Sequence, residues 1–488
     1  MQIISSRLYV PAIVSFVTSL VVLVIVNYFS FPWIDEIGTA DTPINVVLRG
    51  EWHSEIWQYT YNPLHAFLLI IWIKVWGVSH MAICSLNVLL AFICSLVFLK
   101  IFEIWNKTNK LTLVCFVLSY WVSLTFSLIE IYGRLDILVM LFTILVIHYF
   151  FRDFDKANAT KIFFFSFLLM ASNIYTVPII IIFQSLRFLF LRNRKEIVYQ
   201  TIVFIAGVFL SFICICWFYY SRGILISYLH TYYAFNDTIA SGGDSFINRL
   251  FRAYSIDPYN LVLFCSFLVY GLIKKKNISY FYASFILLIP LFMTIAGRYQ
   301  PYYSWLFSIS VLFFLYYMYS LSNNTLKILT LSILSIGLIN LLSISNNISE
   351  MRNLQNECRT FFSKNRNIIN TYDCLLTSEP LFYYDAVENH RKIWYKYKSA
   401  YLDPVPNWEK DESFVRLFSK DPEHIKTAME FIKKQCPYID VVPKEGVFIA
   451  SDDNQVKAAY EYLSSKSYDF ELITRDESFT LYHFCQEK

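Results

Sequence analysis

Asp35 and Glu36 stand side by side directly after an apolar run that closes at Phe31-Pro32. A second acidic site follows in "SLIEIYGRLDILVMLF", where Glu130, Arg134 and Asp136 fall between two apolar runs. Charged groups at the edge of a hydrocarbon layer are costly, so each needs a reason. A carboxylate at such a rim can act as a general base, taking a proton from a hydroxyl that arrives from water. Arg298, in "TIAGRYQPYYSWLF" and flanked by Tyr299, Tyr302 and Tyr303, offers the complementary chemistry. Its planar fork can donate two hydrogen bonds to one phosphate. Lys74, inside "YNPLHAFLLIIWIKVWGVSH", is another cation that could face a phosphate, or simply water.

Each of these residues also has a plain structural reading. The carboxylates could be solvated helix caps, with Arg134 paired to Asp136 or Glu130. Arg298 and its tyrosines could be an aromatic belt around a snorkelling arginine. Two acidic sites at comparable depth argue against caps alone for Asp35 and Asp136.

What positions these residues must be a membrane domain. The chain has 488 residues, 56% of them hydrophobic and only 16% charged, too few charges to cover a soluble surface of that size. Apolar runs of roughly 18–22 residues, each long enough for a hydrocarbon core of about 30 Å, recur from Val10 to Ile344. They predict about eleven membrane helices: 9–30, 82–102, 112–129, 135–151, a short pair within 162–190, 197–220, 259–273, 279–296, 302–320 and 326–345. The pair is expected because Asn173 and Pro178 interrupt one long run that has basic residues at both ends. The first run is too long for a signal-peptide core, and no small-residue cleavage site follows it, so it reads as an uncleaved helix.

Lys and Arg cluster on alternate connections: Arg7, Lys100 to Lys110, Arg152 to Lys161, Arg192 to Lys195, Lys274 to Lys276, and Lys327. By the positive-inside rule these connections and the N-terminus are cytoplasmic. The loops 31–81 and 221–258 are then on the outer face, together with the whole tail 346–488. Residues 61–80 carry His65, Lys74 and an early Pro63, and read as an amphipathic helix lying on the outer surface.

The tail contains no spanning run. Strand-like "CLLTSEPLFYY", "VVPKEGVFIAS" and "SFTLYHF" alternate with helical "DPEHIKTAMEFIKKQC" and "NQVKAAYEYLSSK", which predicts a small α/β domain. Its four cysteines, Cys358, Cys374, Cys436 and Cys485, would permit two disulfides on an oxidising face. No zinc spacing, P-loop or GxGxxG occurs in it.

The order and sidedness of these motifs resemble the GT-C superfamily of integral-membrane glycosyltransferases. A carboxylate after the first helix, then "YNPL" with an apolar helix ending in "WGVS", then R-x-D at the next outer turn and a late "GRYQPYYSW" are all present. Within that superfamily the chain is most similar to protein O-mannosyltransferases and lipid A aminoarabinose transferases. A narrower likeness is to bacterial or phage-borne O-antigen glucosyltransferases. The resemblance implies an inverting hexosyltransferase that takes a glucose-like sugar from a polyprenyl-phosphate donor and adds it to an extracytoplasmic acceptor such as O-antigen or lipopolysaccharide. It assigns Asp35 as base, Glu36 as the adjacent acid and Asp136 as the second acidic residue. Arg134, Lys74, Arg298 and Tyr302 are the groups available to the donor phosphate. No cofactor is required; a divalent cation could bridge the carboxylates, yet nothing in the sequence demands one.

The setting implied is a multi-pass protein of the bacterial inner membrane with a periplasmic tail. Neighbouring activities in this picture are a protein O-glycosyltransferase or a lipid A-modifying transferase. A flippase or transporter would carry mid-helix charges and symmetric repeats, which are not found. An O-antigen ligase or polymerase would need more arginine in the outer loops than Arg222, Arg249, Arg252 and Arg298.

Overall fold

The described apolar runs fold as α-helices in the computed structural model. It describes residues 8–29, 34–50, 63–105, 136–173, 176–190, 193–223, 356–377, 392–394, 421–435, 444–451 and 467–486, with isolated positions between them. The helices are α1 (Tyr9–Phe29), α2 (Ile34–Arg49), α3 (Pro63–Trp76), α4 (His80–Trp105), α5 (Asp136–Phe150), α6 (Lys156–Ser172), α7 (Thr176–Phe190) and α8 (Arg194–Tyr220). Among the described residues, stretches of α4 and α8 are long and apolar enough to cross a membrane. The segments expected at 259–345 lie outside the described residues.

The long run at 162–190 is two helices, and the first begins earlier than expected, at Lys156. Asp155 caps it by accepting from the Asn158 N–H at 2.7 Å. Asn173 ends it in an extended conformation, donating its N–H to the Leu169 carbonyl at 2.8 Å. Pro178 is not the break. It falls in the first turn of α7, where a proline lacks only an N–H that would have had no helical partner.

Helix α8 shows how the bundle is built. One face, with Ile197, Gln200, Phe204, Gly207, Ser211 and Ile215, is buried. The opposite face, with Ile202, Phe209, Ile213 and Trp217, is exposed and apolar, a surface that suits lipid and not water. At Gly207 the backbone comes so close to α6 that a Cβ would collide with Ser166 Oγ and the Phe163 carbonyl oxygen. Small residues at such crossings let helices approach where no hydrophobic force drives them together.

Several buried polar groups inside the bundle are hydrogen-bonded. The Ser15 hydroxyl on α1 bonds the Ser95 hydroxyl on α4 and accepts from Trp121 Nε1 at 3.0 Å. Tyr120 donates its hydroxyl to the Ala91 carbonyl at 2.8 Å. All of these side chains are buried, where an unbonded polar group would be costly.

The tail forms the expected α/β unit. Its strands are β1 (Cys374–Thr377), β2 (Lys392–Trp394), β3 (Glu445–Ala450), β4 (Tyr468–Arg475) and β5 (Thr480–Gln486), in the order β2-β1-β3-β5-β4. β1 runs parallel to β2 and β3, and β5 is antiparallel to β3 and β4. A helix over 356–369 brings Phe361 against Phe479 at 5.4 Å between ring centroids. Cys374, Leu376, Phe448 and Phe484 form a second apolar layer with Leu463. A further helix, α9 (Pro422–Gln435), follows the expected helical stretch.

The two expected disulfides are overturned. None of Cys358, Cys374 and Cys485 is in a disulfide, and any two-disulfide scheme must join two of these three. Cys436 lies outside the described residues. Sidedness accounts for Cys374, which packs with Phe484 while Cys358 belongs to the other core cluster. Cys485 adjoins Phe484 on β5, so strand alternation turns it away from the layer that holds Cys374.

Candidate active site

Both acidic sites open a helix. Asp35 and Glu36 lie in the first turn of α2, and Asp136 is the first residue of α5. The first backbone N–H groups of a helix have no partner within it, and the macrodipole favours a carboxylate there. The cap reading and the catalytic reading therefore share one geometry, since a carboxylate can steady a helix start and still face the rim. The backbone is described at these three positions; their side chains lie outside the described residues, as do Arg134, Arg298 and Tyr302 altogether.

Helix α2 is a departure from the expected loop. Gly38, Thr39, Asp41 and Thr42 are weak helix formers, and Pro43 sits inside it. Burial holds it instead: Ala40 and Ile44 are buried, and so are Thr39, Asp41 and Asn45. Asn45 donates its amide to the Asp41 carboxylate at 3.4 Å, one helical turn away. A buried carboxylate on the helix that carries Asp35 is a feature the sequence reading missed; its signal was an Asp and an Asn four residues apart in a segment without an apolar stripe. The helix stops at Gly50, whose φ of +74° suits the left-handed conformation after a helix end.

Helix α3 falls within the stretch 61–80 that was expected to be helical. Its 14 residues reach about 21 Å at 1.5 Å per residue, short of a hydrocarbon core. Pro63, His65, Leu69, Ile70 and Ile73 are buried, and Phe67, Ile71, Val75 and Trp76 are exposed. Trp72 pins it to α4, donating Nε1–H to the Ala82 carbonyl at 2.9 Å and the Ser85 hydroxyl at 3.0 Å. Gly77, with φ of +83°, ends it. Lys74 is exposed in the last turn of α3, where a cation complements the helix C-terminus.

An aromatic cluster joins α3 to the end of α8. Trp52 meets Phe67 at 5.3 Å and Phe218 at 4.9 Å, and Phe67 meets Phe218 at 5.3 Å. The Arg222 guanidinium lies 3.8 Å from the Phe218 ring centre and 5.6 Å from that of Trp52. Tyr219 stacks on Tyr228 at 4.3 Å, both buried, which anchors the start of the loop 221–258. These contacts fix the frame around α2 and α3. Among the described residues no group of three or more His, Cys, Asp or Glu is arranged to hold a metal ion.

No protein-family model matches the chain, and no curated protein matches it. Solved structures do. ArnT from Cupriavidus metallidurans bound to undecaprenyl phosphate is similar over 98% of this chain and 98% of its own, with TM-score 0.58 and 10% identity. The same protein in the apo state is matched over 96% and 97%, with TM-score 0.47 and 10% identity. From first helix to tail, this chain has the fold of ArnT, a lipid A aminoarabinose transferase and GT-C glycosyltransferase, the group that its motif order resembles.

Proposed function

We propose that the protein is an inverting glycosyltransferase that moves a glucose-like hexose from a polyprenyl-phosphate donor to an extracytoplasmic acceptor, O-antigen or lipopolysaccharide. The observation that carries this reading is the fold shared with a transferase solved with undecaprenyl phosphate, over 98% of both chains. The exposed apolar faces of α1 and α8 support a home in the bacterial inner membrane. Charge asymmetry supports a cytoplasmic N-terminus and a periplasmic tail.

In this reading Asp35 takes the proton from the acceptor hydroxyl as its oxygen attacks the anomeric carbon. The bond from that carbon to the phosphate oxygen breaks on the opposite face, and the polyprenyl phosphate leaves with the electron pair. A phosphate is already a good leaving group, so the demands are a base and stabilisation of phosphate charge. Glu36 and Asp136 support the base and orient the acceptor. Arg298, Lys74, Arg134 and Tyr302 are the groups assigned to the phosphate. A base at a helix start on the rim meets both partners: the donor slides in from lipid and the acceptor arrives from water.

The ArnT likeness itself favours a second acceptor, lipid A. One experiment separates the two: mass spectrometry of O-polysaccharide, lipid A and envelope proteins from cells with and without this chain. A hexose increment on O-polysaccharide is the expected result. An increment on lipid A alone would move the acceptor, and no increment on any glycan or protein would overturn the transferase reading.

A further inference from the structure

Far from the carboxylates, at the other end of α5, a buried arginine is bound in a way that the apolar sequence around it does not suggest. Arg187, on α7, is only 5% exposed. Its Nη2 donates to the carbonyl of Phe150, the last residue of α5, at 2.7 Å. Its Nη1 donates to the side-chain oxygens of Gln184 at 2.7 Å and Gln200 at 2.8 Å. Gln200, on α8, donates its own amide to the same Phe150 carbonyl at 3.1 Å. The rings of Phe150, Phe151 and Phe183 surround the guanidinium, with centres 5.8, 5.3 and 5.9 Å away. One backbone oxygen thus ties three helices together. It is also one of the last carbonyls of α5, which have no acceptor role within the helix and carry the negative end of its dipole.

Such a tie acts on a helix packed mainly by apolar contacts. From Ile137 to Ile144 every residue is buried, and all but Thr143 are apolar. Apolar burial is non-directional, so a hydrogen bond at the Phe150 carbonyl adds a directional restraint to the packing, beside the Cys94 Sγ contact to the Ile137 carbonyl at 3.7 Å near the other end. A directional bond at one end sets the height of a rigid rod. The 15 residues of α5 span about 22 Å. At the far end of that rod is Asp136.

We propose that Arg187 and Gln200, bound together on the Phe150 carbonyl, are positioning residues that set the depth of α5 and so the height of Asp136 at the candidate active site. The catalytic half of this inference rests on the function proposed above; the depth half does not. A displacement near 1 Å can cost about 100-fold in rate, so a tie this distant can act on turnover.

The test uses the full chain in lipid nanodiscs, with two readouts. The first is the rate at which a membrane-impermeant maleimide labels Asp136→Cys, read by peptide mass spectrometry, with and without Arg187→Met. The second is kcat and KM for hexose transfer from a polyprenyl-phosphate hexose by Arg187→Met with Asp136 intact. Arg187→Met should shift the labelling rate at least about threefold and lower kcat by about 10- to 100-fold, with donor KM little changed. Arg187→Lys, which can still donate to the Phe150 carbonyl, should restore both readouts. Gln184→Leu, which touches the arginine but not that carbonyl, should leave both near the parent value.

Unchanged labelling in a monodisperse Arg187→Met protein would overturn the positioning role. So would an equal effect of Gln184→Leu, which would reduce the cluster to a packing element. Shifted labelling with unchanged kcat would keep the depth tie and remove Asp136 from the reaction. If the parent protein transfers no hexose, the function fails, and the labelling arm still decides the tie.

Discussion

The bundle and the tail both contain a glycine against which nothing larger fits, yet the two regions are held by different forces. At Gly207 the neighbours are a serine hydroxyl and a backbone carbonyl of another helix. At Gly446 they are the Phe484 ring, 2.6 Å from an added Cβ, and the carbonyl and Cβ of Cys374 at 2.8 and 2.9 Å. The bundle interior is laced with bonded polar groups: Ser15 with Ser95 and Trp121, and Arg187 with Gln184 and Gln200. The tail's second layer is apolar, with Tyr468, Phe470 and Tyr482 packed around Phe448 and Phe484. Lipid tails are as apolar as leucine, so inside a membrane close approach and hydrogen bonds must do what burial does in water. The tail, in water, is held mainly by burial itself.

The contrast can be broken by substitution. Gly207→Leu should have the largest effect on stability, about 3 kcal/mol, because a helix backbone must move to admit the side chain. Thermal unfolding in detergent would read this, and amide exchange should keep full protection in β1, β3 and β5. Gly446→Ala should cost about 2 kcal/mol and do the reverse, loosening the sheet while α6 and α8 stay protected. Loss of protection in both regions from either change would mean that the two are one cooperative unit. Trp121→Phe removes one donor to Ser15 and sharpens the comparison at its small end. Intramembrane hydrogen bonds average about 0.6 kcal/mol by double-mutant cycles, so a loss of several kcal/mol would show that the polar lacing matters far more than expected.

Periodicity and length were enough to find α1, α4 and α8, whose apolar runs leave no other fold. The break at Asn173 was legible too, although Pro178, the louder signal, turned out to start a helix. Helix α2 was not legible, because tertiary burial of Thr39, Asp41 and Asn45 overrides the poor helix propensity of its residues. Arg187 falls inside the run expected at 162–190 and was not singled out there; only the arrangement of α5, α7 and α8 shows its bonds to Phe150, Gln184 and Gln200. In the tail, β4 was missed although the start of "YDFELITR" carries the apolar–charged alternation of a strand; at the sheet edge its burial is slight. The cysteine count suggested bridges, and the two faces of the sheet keep Cys374 apart from Cys358 and Cys485.

The central claim is that a carboxylate at the start of α2 is the base of a glycosyl transfer at the lipid rim. Its most direct test is the transfer rate of Asp35→Asn, reconstituted with a polyprenyl-phosphate hexose and an acceptor glycan, beside Glu36→Gln. The amide keeps the shape and hydrogen bonding of the carboxylate but cannot take the proton. General-base catalysis contributes about 10²–10⁴-fold, so Asp35→Asn should lose that much turnover while the protein inserts normally and still binds the donor. Glu36→Gln should lose far less. Near-normal transfer by a well-inserted Asp35→Asn protein would contradict the assignment and pass the role of base to Asp136.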